Sequence, residues 1–240
     1  MGLVRMGPPV ELIQTLQSAF GVASFVETGT YVGATASQMS RYFRRVYTIE
    51  ASRELYERAS RSLAEIQNVE RIFGDSRSCL ERVASRLDGP AVFWLDAHWC
   101  GAQTCGEGDE CPLIDEIRII NRCRPDGFVF IDDARHFTSP PQPPHRIEHW
   151  PDITAVLGAL GSSGLDRYVV IIEDVIIAVP VLAKPTLARY CQEVKARDWA
   201  ELGRQNRMSD LAKGIRLLYD GARLVLRAPA RGWRRIVQPK

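Results

Sequence analysis

Two apolar patterns alternate along most of this chain. Short, continuous runs of β-branched and aromatic residues end at an acid or a glycine, and the stretches between them repeat apolar residues at helical spacing. The runs are Val22–Val26, Val46–Glu50, Val69–Phe73, Ala91–Leu95 and Phe128–Ile131. Helices are expected over Pro9–Phe20, Ala36–Phe43, Arg53–Ile66 behind a Ser52 N-cap, about Ser78–Leu87, Pro112–Arg122 and Ile153–Leu160. Strand and helix in turn predict βαβ units and a parallel sheet. Ala91–Leu95, apolar throughout, suits a strand covered on both faces. Tyr168–Ile172 and Val175–Val179 are joined only by Glu173-Asp174, enough for a hairpin but not for a parallel crossover. After Pro185 the chain reads as basic helix, with Leu187, Cys191 and Val194, then Leu211, Ile215 and Leu218. The division expected is therefore a domain over 1–184 and a helical extension over 185–240.

At 240 residues, 45% hydrophobic and 25% charged, the chain suits one globular domain with an appendage. Its apolar runs are too short to span a bilayer. Met1 to Met6 lacks the apolar core of a signal peptide and the Ser or Thr of a myristoylation site. A cytoplasmic protein with reduced cysteines is expected. The net charge of +2 is uneven: from Thr186 onward thirteen Lys/Arg face five Asp/Glu, a balance of +8 that leaves −6 for the rest. A basic tail on an acidic body suggests dimerisation or contact with an acidic partner such as a membrane surface. Nucleic acid is not expected, because among Arg227, Arg231, Arg234 and Arg235 Trp233 is the single aromatic placed to stack on bases.

The chemistry centres on Glu27-Thr28-Gly29-Thr30-Tyr31-Val32-Gly33, where the first run ends in an acid and a glycine turn before a helix. Strand, turn and helix start is where an α/β sheet binds a nucleotide-like ligand, and glycine there lets backbone approach the ligand. Glu50 lies 21 residues past Gly29, near the distance of about 20 at which a carboxylate grips a ribose diol. Tyr31 stands where the dinucleotide fingerprint needs its second glycine.

Glu27-x-Gly29-x-x-x-Gly33 resembles motif I of the class I S-adenosylmethionine (SAM) methyltransferases. The resemblance covers about Phe25 to Val179. It implies an α/β, Rossmann-like, doubly wound seven-stranded sheet of order 3-2-1-4-5-7-6. Strand 7 would be antiparallel, with helices on both faces and a helical C-terminal extension. It also implies that Glu27, Thr28, Gly29, Thr30, Tyr31 and Gly33 hold the methionine moiety, Glu50 with Ala51 the ribose, and Asp75 and Ser76 the adenine, with Asp96 beside them.

Each expected parallel strand finishes at an acid: Glu27, Glu50, Asp75, Asp96 and Asp132. Such acids line a ligand site at the carboxyl edge, or they cap the helices that follow. In metal-dependent O-methyltransferases of catechols and macrolide sugars, acids at the ends of strands four and five hold a divalent cation. By that resemblance Asp96, Asp132 and Asp133 would hold Mg²⁺, which lowers a hydroxyl's pKa and orients it. The alternative is that Asp133 caps a turn and only Asp96 touches SAM. The sugar enzymes place a histidine just after the strand-four acid, at slightly different spacing from His98. His98 is a candidate base, and a surface role is the alternative. His98, Cys100, Cys105 and Cys111 could instead bind Zn²⁺, or the cysteines could form a Cys100–Cys105 or Cys105–Cys111 disulfide or stay as buried thiols. A polar loop over 134–151, rich in proline and holding His136, His145 and His149, reads as a lid that could contact substrate. Trp94, Trp99 and Trp150 could stack on a substrate ring or fill the core.

The expected activity is methyl transfer from SAM to a hydroxyl of a small molecule or glycan. The alternatives are an NAD(P)-linked reductase, which lacks here the Tyr-x-x-x-Lys pair usual in short-chain enzymes, and a non-catalytic scaffold that docks through the basic tail.

Overall fold

The computed structural model describes residues 7–99, 101, 106, 108–207 and 210–227. Seven strands form one sheet: β1 (Ser24–Thr28), β2 (Arg45–Glu50), β3 (Val69–Phe73), β4 (Ala91–Leu95), β5 (Phe128–Ile131), β6 (Arg167–Ile172) and β7 (Val175–Pro180). Their order is β3-β2-β1-β4-β5-β7-β6. The first five pair in parallel, and β7 runs antiparallel to both β5 and β6. This is the expected order and sense. The turn between β6 and β7 places Glu173 at φ 52° and Asp174 at φ 66°, the positive pair of a tight hairpin turn.

The helices are α1 (Val10–Phe20), α2 (Ala34–Met39), α3 (Arg53–Ser62), α4 (Ser76–Ala84), α5 (Leu113–Cys123), α6 (Arg135–Thr138), α7 (Ile153–Gly161), α8 (Lys184–Arg207) and α9 (Asp210–Arg227). Neighbouring strand residues face opposite sides, so the sheet has two apolar surfaces. One carries Val26, Phe93 and Val129 and packs with Leu80, Ile117 and Val156 of α4, α5 and α7. On the other, Phe25 meets Phe43 with ring centroids 5.4 Å apart, and Phe128 meets Phe20 of α1 at 5.5 Å. Each such buried side chain contributes roughly 1.5–3 kcal/mol of transfer free energy.

Several boundaries differ from expectation: α2 ends at Met39 rather than Phe43 and α3 at Ser62 rather than Ile66. β1 starts two residues late because the Val22 amide donates to the Gln17 carbonyl, closing α1. α4 starts at Ser76 because Asp75 caps it, accepting from the Arg77 amide at 2.9 Å. The polar stretch 134–151 contains α6 and a 3₁₀ turn at Ile147–His149.

The chain divides into two compact units, Met1–Arg189 and Tyr190–Lys240, and α8 runs across the division. In the second unit Glu201 of α8 pairs with Arg216 of α9 at 3.2 Å. No helix among the described residues is long and apolar enough to cross a membrane.

Candidate active site

The carboxyl ends of β1, β2, β4 and β5 open on a cavity of about 560 Å³. It lies where β1 and β4 send their following connections to opposite sides, the usual ligand position in such sheets. Gly29, Tyr31, Glu50, Ala51, Asp75, Ser76, Asp96, His98, Asp132 and Asp133 all line it. Glu27, Thr28, Thr30 and Gly33 do not.

Glu27 is buried beneath the turn, where the Thr48 hydroxyl donates to its Oε2. Burial pushes its pKa up to about 8, partly offset by that hydrogen bond. The Thr30 and Thr48 hydroxyls are 2.6 Å apart, joining Thr30 to the same buried set.

The glycines are also required by the protein's own packing. Gly29 has φ +86°, and a Cβ there would lie 2.1 Å from the Asp96 carbonyl oxygen. Gly33, at φ +84°, would meet Leu63 at 2.9 Å. The first turn is thus seated directly on the end of β4.

Glu50 is held by two backbone amides: Oε2 accepts from Tyr31 at 2.9 Å and Oε1 from Ser52 at 2.8 Å. This fixes the carboxylate against the cavity wall. Asp75 differs. Besides capping α4, it pairs with Arg77 at 2.8 Å, and Arg77 also reaches Asp109. Arg77's hydrogen bond holds the Asp75 pKa down. Asp75 therefore has the capping role, though it still lines the cavity.

The ends of β4 and β5 bring a second set together. His98 Nδ1 lies 3.5 Å from Asp96 Oδ1, and its Nε2 lies 3.0 Å from Asp133 Oδ2. Arg135 takes the other Asp133 oxygen at 2.7 Å and also pairs with Asp174 of the β6–β7 turn. Asp174 further accepts the Arg135 amide at 2.9 Å. The hairpin thereby braces Asp133, whose backbone sits at φ 56°. Asp132 accepts the Asp133 amide at 2.8 Å.

Burial pushes Asp96 up to about 7; the charges of Asp132 and Asp133 add to this and His98 opposes it. Burial, then the charge of Asp133, pushes Asp132 up to about 6. Burial would raise Asp133 too, but the hydrogen bond and charge of His98, with Arg135 and His136, hold it low. Three acids from two strand ends are thus driven apart in pKa.

Asp133 spends both oxygens on His98 and Arg135, while Asp96 and Asp132 line the cavity beside it, Asp96 with His98 at 3.5 Å. Among the described residues, no group of three or more His, Cys, Asp or Glu side chains is arranged to hold a metal ion. Cys100 and Cys105, half of the proposed zinc set, lie outside the described residues. Cys111 is a free thiol, pushed up to about 12 by burial.

The loop over 134–151 is fastened by a residue that its sequence does not single out. Buried Glu110 accepts from Trp150 Nε1 at 2.7 Å and from the Arg146 amide at 3.0 Å, and lies 3.0 Å from His145 Nδ1. Trp150 then packs on His98, His136 and His145, with ring centroids 5.1–5.3 Å apart. Of the four histidines, His98 alone lines the cavity. Trp94 is core, 1% exposed, as its apolar strand implied. Glu116 of α5 is a further buried acid, pushed up to about 7 by burial. It borders a second, much smaller cavity with His98 and Asp132.

Solved structures share this architecture. A Staphylococcus aureus protein carrying the provisional name caffeoyl-CoA O-methyltransferase superposes with a TM-score of 0.53 and 17% identity, over 74% of this chain and 86% of that one. The cofactor-bound protein Rv0187 from MTB superposes at 0.52 and 17%, over 74% and 83%. The fold is that of the class I methyltransferases. No protein-family model matches the chain, and no curated protein matches it. Within the methyltransferase fold, the cavity described here occupies the carboxyl edge of the sheet, between the β1 and β4 loops.

Proposed function

We propose that this chain is a SAM-dependent methyltransferase acting on a hydroxyl group of a small molecule or glycan. The observation that carries the reading is the Asp96–His98–Asp133 array on the wall of a cavity that also holds Glu50. A volume of about 560 Å³ suits a nucleoside-sized ligand. Glu50, immobilised by two amides, offers its remaining lone pairs to a ribose diol. The acids at the ends of β4 and β5 suit a sulfonium donor, since they lower the potential where its positive charge would rest.

In the reaction, the acceptor oxygen attacks the methyl carbon in line with the departing sulfur. The C–O bond forms as the C–S bond breaks, the sulfonium becomes a thioether, and the hydroxyl proton must leave. The Asp133 carboxylate, which can only accept, fixes a proton on His98 Nε2 and orients the ring. Nδ1 then receives the acceptor's proton, and Asp96 opposite stabilises the imidazolium.

Asp96 and Asp132 also fit a hard divalent cation such as Mg²⁺, because their mutual repulsion would be relieved by positive charge. Such an ion, when bound, lowers the acceptor hydroxyl's pKa. Asp133 supports this pair from behind and is not itself a ligand in this reading.

Calorimetric titration with SAM and S-adenosylhomocysteine tests the first half. Heat from both that is abolished by Glu50→Ala supports it, and no heat from either ends it. Radiolabelled methyl transfer to hydroxylated acceptors, against amine analogues, tests the choice of oxygen.

A further inference from the structure

α9 separates apolar from charged residues. Ile215, Leu218, Tyr219 and Ala222 recur at three- and four-residue spacing and share one face. Ile215 is 61%, Leu218 77% and Tyr219 60% exposed. Lys213, Arg216, Asp220 and Arg223 share a strip beside it, along the Tyr219 edge. A coiled-coil seam would use only the narrow stripe of 215, 218 and 222. Here exposed Tyr219 widens the apolar surface beyond that stripe, while Leu217, at 73%, stands on the far side of the helix.

The charge supplies the second argument. From Asp210 to the C-terminus, eight Lys/Arg face two Asp, a balance of +6. Arg216 pairs with Glu201 and Asp220, and Arg223 lies over the Tyr219 ring at 5.1 Å. Arg223 can therefore lay its stem along the apolar face and keep its charge outward. A wide apolar face beside a cationic strip, on a helix unable to cross a bilayer, is the composition of a helix lying in a lipid interface.

We propose that α9 lies in the plane of an anionic membrane surface, with Ile215, Leu218 and Tyr219 at the acyl boundary and its basic strip at the lipid phosphates. This stands apart from the methyltransferase reading and does not depend on it.

The test floats the full chain with vesicles of phosphatidylcholine alone and of phosphatidylcholine mixed with phosphatidylglycerol. The protein should rise with the mixed vesicles, less so as salt increases, and not with phosphatidylcholine alone. Ile215→Asp with Leu218→Asp should weaken partition by about a hundred-fold or more, and Arg223→Gln by about five-fold. These side chains are exposed, so circular dichroism should match the parent. The proposal is overturned by no flotation with either vesicle, by equal flotation with both, or by flotation that survives the double substitution. It is also overturned if sedimentation finds a dimer that the double substitution splits while vesicles capture nothing, which would assign this face to a second copy.

Discussion

His98 Nε2 stands 3.0 Å from Asp133 Oδ2, while Arg135 holds the other oxygen of the same carboxylate at 2.7 Å. The carboxylate cannot rotate away, and it can only accept, so it dictates which ring nitrogen carries the proton. Asp133→Asn would keep the shape but offer an amide donor to Nε2, which favours the wrong tautomer. Turnover should fall by about 10²- to 10⁴-fold, while SAM affinity measured by calorimetry stays within about two-fold. Unchanged turnover would remove His98 as the base oriented by Asp133.

The first glycine tests the seating of the turn on β4. Gly29→Ala should cost more than about 2 kcal/mol, because backbone at 2.1 Å cannot yield as a side-chain tip would. Gly21→Ala is the control. Its φ is also positive, +64°, but nothing lies within 4 Å, so only the backbone penalty of about 1 kcal/mol applies. Urea unfolding of both variants measures the difference, and equal losses would show that the contact with Asp96 does not matter.

Much of this site could be read from the chain because strand-end acids are local facts. Once the runs ending at Glu50, Leu95 and Ile131 are strands of a parallel sheet, Glu50, Asp96 and Asp132 must share one edge. Residues whose roles arise from contacts between distant segments could not be read this way. Glu110 meets Trp150 across 40 residues, and Asp174 meets Arg135 across 39. Neither belongs to a motif. Glu173-Asp174 announced a hairpin turn, but not that its second residue braces the acid beside His98. The glycines were legible as a turn, yet what they avoid, the Asp96 carbonyl and Leu63, is visible only when β4 and α3 are in place.

Buried acids make stability depend on pH in a stated direction. Glu27, at about 8, and Asp96 and Glu116, at about 7, keep protons when folded that the unfolded chain has released. The folded chain therefore binds more protons between about pH 4 and about pH 8, and stability falls as pH rises through that window. Glu27→Gln removes one such group. Its stability should decline less steeply, by up to about 1.4 kcal/mol per pH unit. Urea unfolding across the window decides this, and parallel slopes for the two proteins would refute it.

The cation reading has its own pH signature. Asp96 is pushed up to about 7 and Asp132 to about 6, and a divalent ion binds only their ionised forms. Binding must therefore expel protons at lower pH, so Mg²⁺ affinity should climb through about pH 6 and level off above about pH 7. Titrating Mg²⁺ in two buffers of different ionisation heat counts the protons directly. Release should approach two at about pH 5 and fade above about pH 8. Asp132→Asn should lower the affinity by about ten-fold or more and the proton count by one. EDTA should reduce turnover by at least about ten-fold, reversed by added Mg²⁺. Full turnover in EDTA, with no heat on adding Mg²⁺, would leave Asp96 and Asp132 to the sulfonium and the His98 imidazolium.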